Sequence, residues 1–303
     1  KAGRDILPGI GSGLWDIARA SYVEGAAALP FQAPPTPFNV EISGSRRFAS
    51  QSYSLSRLKH IGEATGATVN DVTLAICAGA LREYLQAQNK LPKKPLVAMV
   101  PVSLHGETSA GGNQVSLLLA SLATDIADPL KRLKRIVEST SQAKQRLTKM
   151  PRLQKMAHGI TSISPFGAGM VTGTAQNHPL FNLVISNVPG PKKALYLNGA
   201  RLDEVYPVSI PTHYLALNIT ISGYGDRLGF GYIACRRSVP ALQRMLDYTH
   251  NAILALEAAV GIHHSPPPAA KKAATRRVAP AKATAAPVAK KSVKKKRAAA
   301  PAD

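Results

Sequence analysis

The chain has 303 residues, 45% of them apolar and 18% charged, which is ordinary for a globular protein and long enough to bury a substantial core. Its formal charge of +21 is uneven: residues 263–303 carry eleven Lys and Arg against Asp303, so the tail holds +10 and the first 262 residues +11. Nucleic-acid binding inferred from the total therefore rests largely on the tail. No apolar run reaches the about 18 residues of a membrane-crossing helix, and two cysteines, Cys77 and Cys235, are too few for a disulfide framework; they read as buried reduced thiols in a cytosolic protein.

The first residue is Lys1, and nothing near it has the order of a signal peptide, so the chain reads as clipped or processed at its front. Residues 1–37 form a lead-in and linker: a Gly-rich opening, a helical stretch over 13–28, then Pro34, Pro35 and Pro37. A short helix is expected over 56–65, stopped by Gly66. Thr68 opens a long one running to about residue 88, with Val72, Leu74, Ala75, Ala78, Leu81 and Leu85 at helical spacing. Residues 96–103 and 114–124 read as strands, the second apolar enough to suggest burial on both faces. Asp128 and Pro129 start a basic amphipathic helix over 128–149, and 151–175 read as helix broken by Pro165 and several glycines. Strands follow over 182–187, 194–207, 215–223 and 228–235. The last two are joined by Tyr224-Gly225-Asp226-Arg227, a hairpin signal. A helix over 240–260 closes the series. Mixed strands with long helices give an α/β (α+β) fold with a largely non-local sheet. Residues 38–262 are then one domain, and 263–303 an Ala/Pro/Lys-rich, disordered tail.

Four segments come in order: 67–85 (ATVNDVTLAICAGALREYL), 99–116 (MVPVSLHGETSAGGNQVS), 181–191 (FNLVISNVPGP), and 196–235, which contains YLNGARLDEVYPVS and LNITISGYGDRLGFGYIAC. Together they resemble the carboxyl-terminal half of the bacterial wax ester synthase/diacylglycerol acyltransferase family, which is similar in fold to chloramphenicol acetyltransferase and to the condensation domains of peptide synthetases. The resemblance implies a half with a mixed sheet and flanking helices, facing a related amino-terminal half across a tunnel. It implies O-acyl transfer from acyl-CoA, as co-substrate, to diacylglycerol or a long-chain alcohol, giving triacylglycerol or wax ester. In the family the second histidine of an HHxxxDG motif takes the proton of the acceptor alcohol, a poor nucleophile until deprotonated, as it attacks the thioester.

That motif is absent from these 303 residues. The histidines are His60, His105, His158, His178, His213, His250, His263 and His264. Only the last two are adjacent, and Ser265-Pro266-Pro267-Pro268 follows them. No catalytic residue is therefore assigned here, and the base is expected upstream, on the amino-terminal half that would be this chain's partner. His213, in a loop beside Tyr214, is the best substitute, although a lone loop histidine is usually just solvated. The alternative is an inactive truncated or split half that serves as a lipid-binding or complementing module.

The resemblance carries Asn70 and Asp71, at the start of the long helix, to the tunnel wall; Thr68 with Asp71 is equally a capping box that needs no active site. Gly112 and Asn113 match a family segment and also suit a strand-entry turn. Asn187, Pro189 and Gly190 end a strand in a tight loop, which the resemblance places at the tunnel mouth. Asn218 is polar within an apolar strand and needs a partner, with strand bridging and substrate contact both open. The family often has a serine before the tyrosine matching Tyr224; here Gly223 stands there. No Cys/His cluster has ligand spacing, so no metal or other cofactor is implied. The helix bearing Lys131, Arg132, Lys134 and Arg135 is a solvated charged face or a contact for coenzyme A phosphates or an anionic membrane or lipid-droplet surface. The tail suits a nonspecific electrostatic tether, with nucleic acid reached only through it. A cytoplasmic place, peripheral to membrane or lipid droplets, fits these readings.

Overall fold

The computed structural model describes residues 32–103, 115–149 and 164–262. The helix expected over 13–28, residues 151–163 of the broken helix expected over 151–175, Gly112, Asn113 and the expected disorder of the tail lie outside the described residues.

The domain is a six-stranded mixed sheet in the order β1-β8-β7-β4-β2-β3. In chain order the elements begin with β1 (Arg46–Ser54), α1 (Leu55–Thr65) and α2 (Val69–Ala87). β2 (Val97–Ser103), β3 (Val115–Ser121) and α3 (Pro129–Lys149) follow. A helical stretch over residues 164–172, α4, precedes β4 (Leu183–Val188). β5 (Tyr196–Leu197) and β6 (Ala200–Arg201) form a separate two-stranded ribbon. β7 (Leu217–Tyr224), β8 (Arg227–Cys235) and α5 (Arg244–Ala259) complete the series. β2, β4 and β7 run parallel in the middle, flanked by antiparallel β3 on one side and by β8 and β1 on the other.

Local chemistry sets most helix ends. Gly66 ends α1 in the left-handed region at φ 69°, which favours a residue with no Cβ. The Thr68 hydroxyl accepts from the Asp71 amide at 3.2 Å while the Asp71 carboxylate accepts from the Thr68 amide at 3.2 Å, so the expected capping box opens α2. Asp128 caps α3 by accepting from the Lys131 amide at 2.7 Å. α2 lies buried through most of its length because α5 crosses it closely: a Cβ on Gly79 would lie 2.8 Å from that of Ala252.

One face of the six-stranded sheet joins these helices in the main core, with Ala98, Val100, Leu118, Ile185, Ile219 and Phe230 all buried. The other face carries a smaller cluster, in which Val97, Met99, Leu119 and Val184 meet Phe166 of α4, Leu180 and Phe181. Two buried asparagines tie together the amino-terminal ends of the parallel strands. The Asn39 amide donates to the carbonyls of Phe181 and Tyr214 at 3.1 and 3.2 Å. Asn182 accepts from the Val97 amide at 2.8 Å and donates to Asn39 at 2.9 Å. Groups 1% and 0% exposed are thereby satisfied rather than left unpaired.

Four sequence expectations change. β1 was not anticipated: its apolar alternation is weak, and its ladder partner β8 lies about 180 residues away. β3 is not buried on both faces: it is an edge strand, buried by helices on one face, with Leu117 and Leu119 only half-buried on the other. The strand expected over 194–207 is instead the short β5–β6 ribbon followed by extended chain without a ladder. Arg132 is not on the solvated face of α3; it is 5% exposed and donates to the carbonyls of Ile126 and Ala127 at 2.9 and 3.2 Å. No single helix among the described residues is long and apolar enough to cross a membrane.

Candidate functional site

Ligands of open α/β sheets gather at the carboxyl ends of parallel strands. Here that edge is formed by the ends of β2, β4 and β7, with the amino terminus of α2 above it. Asn187 shares the helix-covered face with Leu183 and Ile185, and its side-chain amide donates to the Asn70 side-chain oxygen at 3.5 Å. Two residues 117 positions apart are thus neighbours, both half-buried and open to a ligand. The bond is long and therefore weak, so either amide can exchange it for a substrate oxygen. The first backbone amides of α2 add donors and a partial positive charge at the same place.

Asp71 is different. It is 3% exposed, takes part in the capping box, and accepts from the Thr140 hydroxyl of α3 at 2.7 Å. Its oxygens therefore link two helices and hold α2 so that Asn70 faces the edge. Thr140 was passed over in the sequence, since nothing local marks a threonine within an amphipathic helix as a carboxylate partner.

The loop after β4 closes over the β7–β8 hairpin. A Cβ on Gly190 would lie 1.7 Å from the Gly223 carbonyl, so only glycine allows that approach. The Gly225 amide donates to the Pro191 carbonyl at 3.2 Å, and the Tyr224 hydroxyl accepts from the Leu195 amide at 2.9 Å. Pro189, with Gly190 behind it, is exposed at the rim of this loop. Gly223 has room for a Cβ, whose nearest neighbours would be 3.6 and 3.8 Å away, so packing does not demand glycine there.

Asn218 lies elsewhere. It pairs in register with Val184, on the face away from the main helices, and accepts from the Thr220 hydroxyl at 3.0 Å. Ser186 and Ser222 extend a half-buried polar row beside it. On this side of the sheet a cavity of about 420 Å³ lies against α4, lined by Phe166, Ala168, Thr172, His178 and Leu180 among others. His213 is brought to neither group. It sits before β7 at the opposite end from Asn187, exposed, with Nδ1 accepting from the Ile42 amide at 3.3 Å. Ser116, within a segment singled out from the sequence, is 2% exposed on the helix-covered face of β3, and its hydroxyl has no partner among the described residues. Amide groups and a helix terminus can orient a substrate and stabilise developing negative charge, but they do not take a proton near neutral pH. Among the described residues no group of three His, Cys, Asp or Glu could hold a metal ion.

The described residues thus form a mixed α/β sheet sealed by helices on one face, with hydrogen-bond donors at its carboxyl edge. The wax ester synthase/diacylglycerol acyltransferase catalytic domain matches residues 2–73, and the C-terminal domain of the same family matches residues 111–257. The chain belongs to the wax ester synthase/diacylglycerol acyltransferase family. It is 47% identical over 249 residues to a probable diacylglycerol O-acyltransferase of Mycobacterium tuberculosis, covering 81% of this chain and 55% of that protein. It is 44% identical over 230 residues to an O-acyltransferase of Acinetobacter baylyi, covering 76% of this chain and 50% of the other. Its fold is similar to that of a wax ester synthase/diacylglycerol acyltransferase from Marinobacter aquaeolei VT8, with a TM-score of 0.70 and 42% identity over 84% of this chain and 57% of that one. A nonribosomal peptide synthetase shares the fold alone, at a TM-score of 0.51 and 12% identity over 78% of this chain and 25% of the other. The chain spans about half the length of the curated relatives it matches.

Proposed function

We infer that this chain forms the substrate-positioning half of an acyl-CoA-dependent O-acyltransferase acting on diacylglycerol or a long-chain alcohol. The observation that carries this reading is the meeting of Asn70 and Asn187 at the carboxyl edge, in a chain 47% identical to a probable diacylglycerol O-acyltransferase. In this reading the two side-chain amides and the α2 terminus hold the acyl carbonyl and receive the negative charge that develops on it as the alcohol attacks. The carbon–oxygen bond forms, coenzyme A leaves as thiolate, and the alcohol proton passes to a histidine outside these 303 residues. Asp71 positions Asn70 and is not itself a proton acceptor in this reading, because its oxygens are committed to Thr68 and Thr140. The apolar cavity against α4 offers room for an acyl chain.

The test is reconstitution. The chain is co-expressed with an amino-terminal segment of a family member chosen because it carries HHxxxDG, and assayed with labelled palmitoyl-CoA, diacylglycerol and hexadecanol. Ester formation is expected from the pair, with kcat/KM at least tenfold lower for Asn187→Ala, as for loss of a developing-charge donor. A stable complex that binds acyl-CoA without transferring it would overturn the reading in favour of a lipid-binding module.

A further inference from the structure

We propose that Arg46, Arg47, Arg236 and Arg237 form a docking surface for an anionic lipid bilayer, with Phe48 as its apolar contact. β1 opens with Arg46, Arg47 and Phe48, and the end of β8 lies directly beside them, Arg46 opposite Cys235 and Arg47 opposite Ala234. The Arg236 amide donates to the Ser45 carbonyl at 3.1 Å, so the turn after β8 carries its two arginines to the same corner. All four side chains are exposed.

None of the four takes part in an ion pair among the described residues, whose pairs join Arg57 to Glu257, Arg135 to Glu138, Arg201 to Asp203 and Arg227 to Glu204. Glu41, in the adjoining loop, instead accepts from the Tyr214 hydroxyl at 3.3 Å. Charges on an edge strand guard against unwanted strand pairing, which accounts for Arg46 and Arg47. It does not account for Arg236 and Arg237, which lie beyond the ladder. Four unneutralised cations held together repel one another, and an anionic surface removes that cost.

Phe48 chooses among anionic surfaces. It is 42% exposed, on the same face of β1 as Arg46, and its ring edge lies 3.3 Å from where a Cβ of Gly231 would stand. A half-exposed ring at a strand end that bears four arginines, Arg46 on its own face with its guanidinium donating to the carbonyls of Ser43 and Ser45 and Arg47 on the opposite face of β1, suits the boundary between headgroups and acyl chains. A single ring on a shallow corner offers no row of stacking platforms for nucleic-acid bases. The basic face of α3 is a poorer candidate, since Arg132 is buried and Arg135 is paired with Glu138. Leu217 pairs with Ala234, so the arginine corner lies at the start of β7, at the opposite end of the sheet from Asn187.

The proposal goes beyond the acyl-transfer reading, and its test involves no acyl transfer, so either can fail alone. The full 303-residue chain carrying F48W is mixed with vesicles of phosphatidylcholine, with and without phosphatidylglycerol, some made with brominated phosphatidylcholine. The parent chain supplies the background from Trp15. The added emission is expected to shift to shorter wavelength and be quenched only when phosphatidylglycerol is present. Adding R46A, R47A, R236A and R237A together is expected to weaken that response at least about tenfold, since basic residues at an anionic surface each add to the binding. An unchanged thermal midpoint confirms that the variant folds. Vesicle binding without quenching at position 48 would assign the contact to another surface, such as residues 263–303, and overturn the proposal. So would quenching that the four alanines leave intact, or a response to duplex DNA in place of vesicles.

Discussion

On one face of the sheet Ala98, Val100, Ile185, Ile219 and Phe230 are sealed beneath α1, α2, α3 and α5, whereas on the other Ser186, Asn218 and Ser222 stay half-buried. Extended chain also crosses the open face: Cβ atoms on Gly229 and Gly231 would lie 2.0 and 1.9 Å from the carbonyls of Val205 and Pro207. The same strands thus serve two purposes by parity. Leu217, Ile219 and Ile221, at odd positions of β7, build the core that holds the domain together, while Asn218 and Ser222, at even positions, stay half-buried on the other face. The candidate residues divide the same way, Asn187 toward the helices and Asn218 away from them.

High pH should break the closed face first. Burial pushes the Cys77 thiol up to about 12. Burial, then the nearby Asp247, raises the Tyr53 hydroxyl to about 12, and burial raises the Tyr232 hydroxyl well above its usual value. A folded-state pKa above the unfolded value gives stability that is complete below the unfolded value, near 9 to 10 for these groups, and is lost as pH rises toward the folded value. Thermal midpoints should therefore hold through pH 8 and fall steeply between about 9 and 12. A flat profile across that window would mean that these groups are not sealed.

Asp71→Ala should rank next. It removes the carboxylate's side of the capping box and the bond from Thr140, whose hydroxyl keeps only its bond to the Val137 carbonyl at 3.2 Å, for a loss of about 3 kcal/mol in chemical denaturation. A loss under about 1 kcal/mol would show that α2 does not need this link to α3. The open face should respond less. Gly231→Val must displace the Pro207 carbonyl, so residues 202–211 should become rapidly cleavable by protease while global stability falls only about 1–2 kcal/mol. Gly223→Ser, where there is space for a Cβ, should stay within about 0.5 kcal/mol of the parent chain. If Gly231→Val unfolded the whole domain, the contrast between the two faces would fail.

Much of this was legible from residues alone, wherever the cause is local. The Thr68–Asp71 cap, the Gly66 stop and the Asp128 cap act within a few residues, as does the Gly225-Asp226 hairpin turn, whose Gly225 has a φ of 56°. Among the described residues the helices and most strands followed from apolar spacing, and family membership from four ordered segments. What stayed hidden depends on distant partners. β1 has a weak pattern because it is an edge strand, and only β8 makes it one. Arg132 reads as one more surface cation until the loop carbonyls it serves are seen.

The sequence by itself therefore determined the class of fold, the family and the capping chemistry of α2, because short-range hydrogen bonds and periodicity need no knowledge of the rest of the chain. Only the tertiary structure decided that Asn70 meets Asn187, that Asn218 lies on the other face, and that four arginines from opposite ends of the domain share one corner. Strand register and sheet order set those outcomes, and both arise from burying many side chains at once rather than from any single segment.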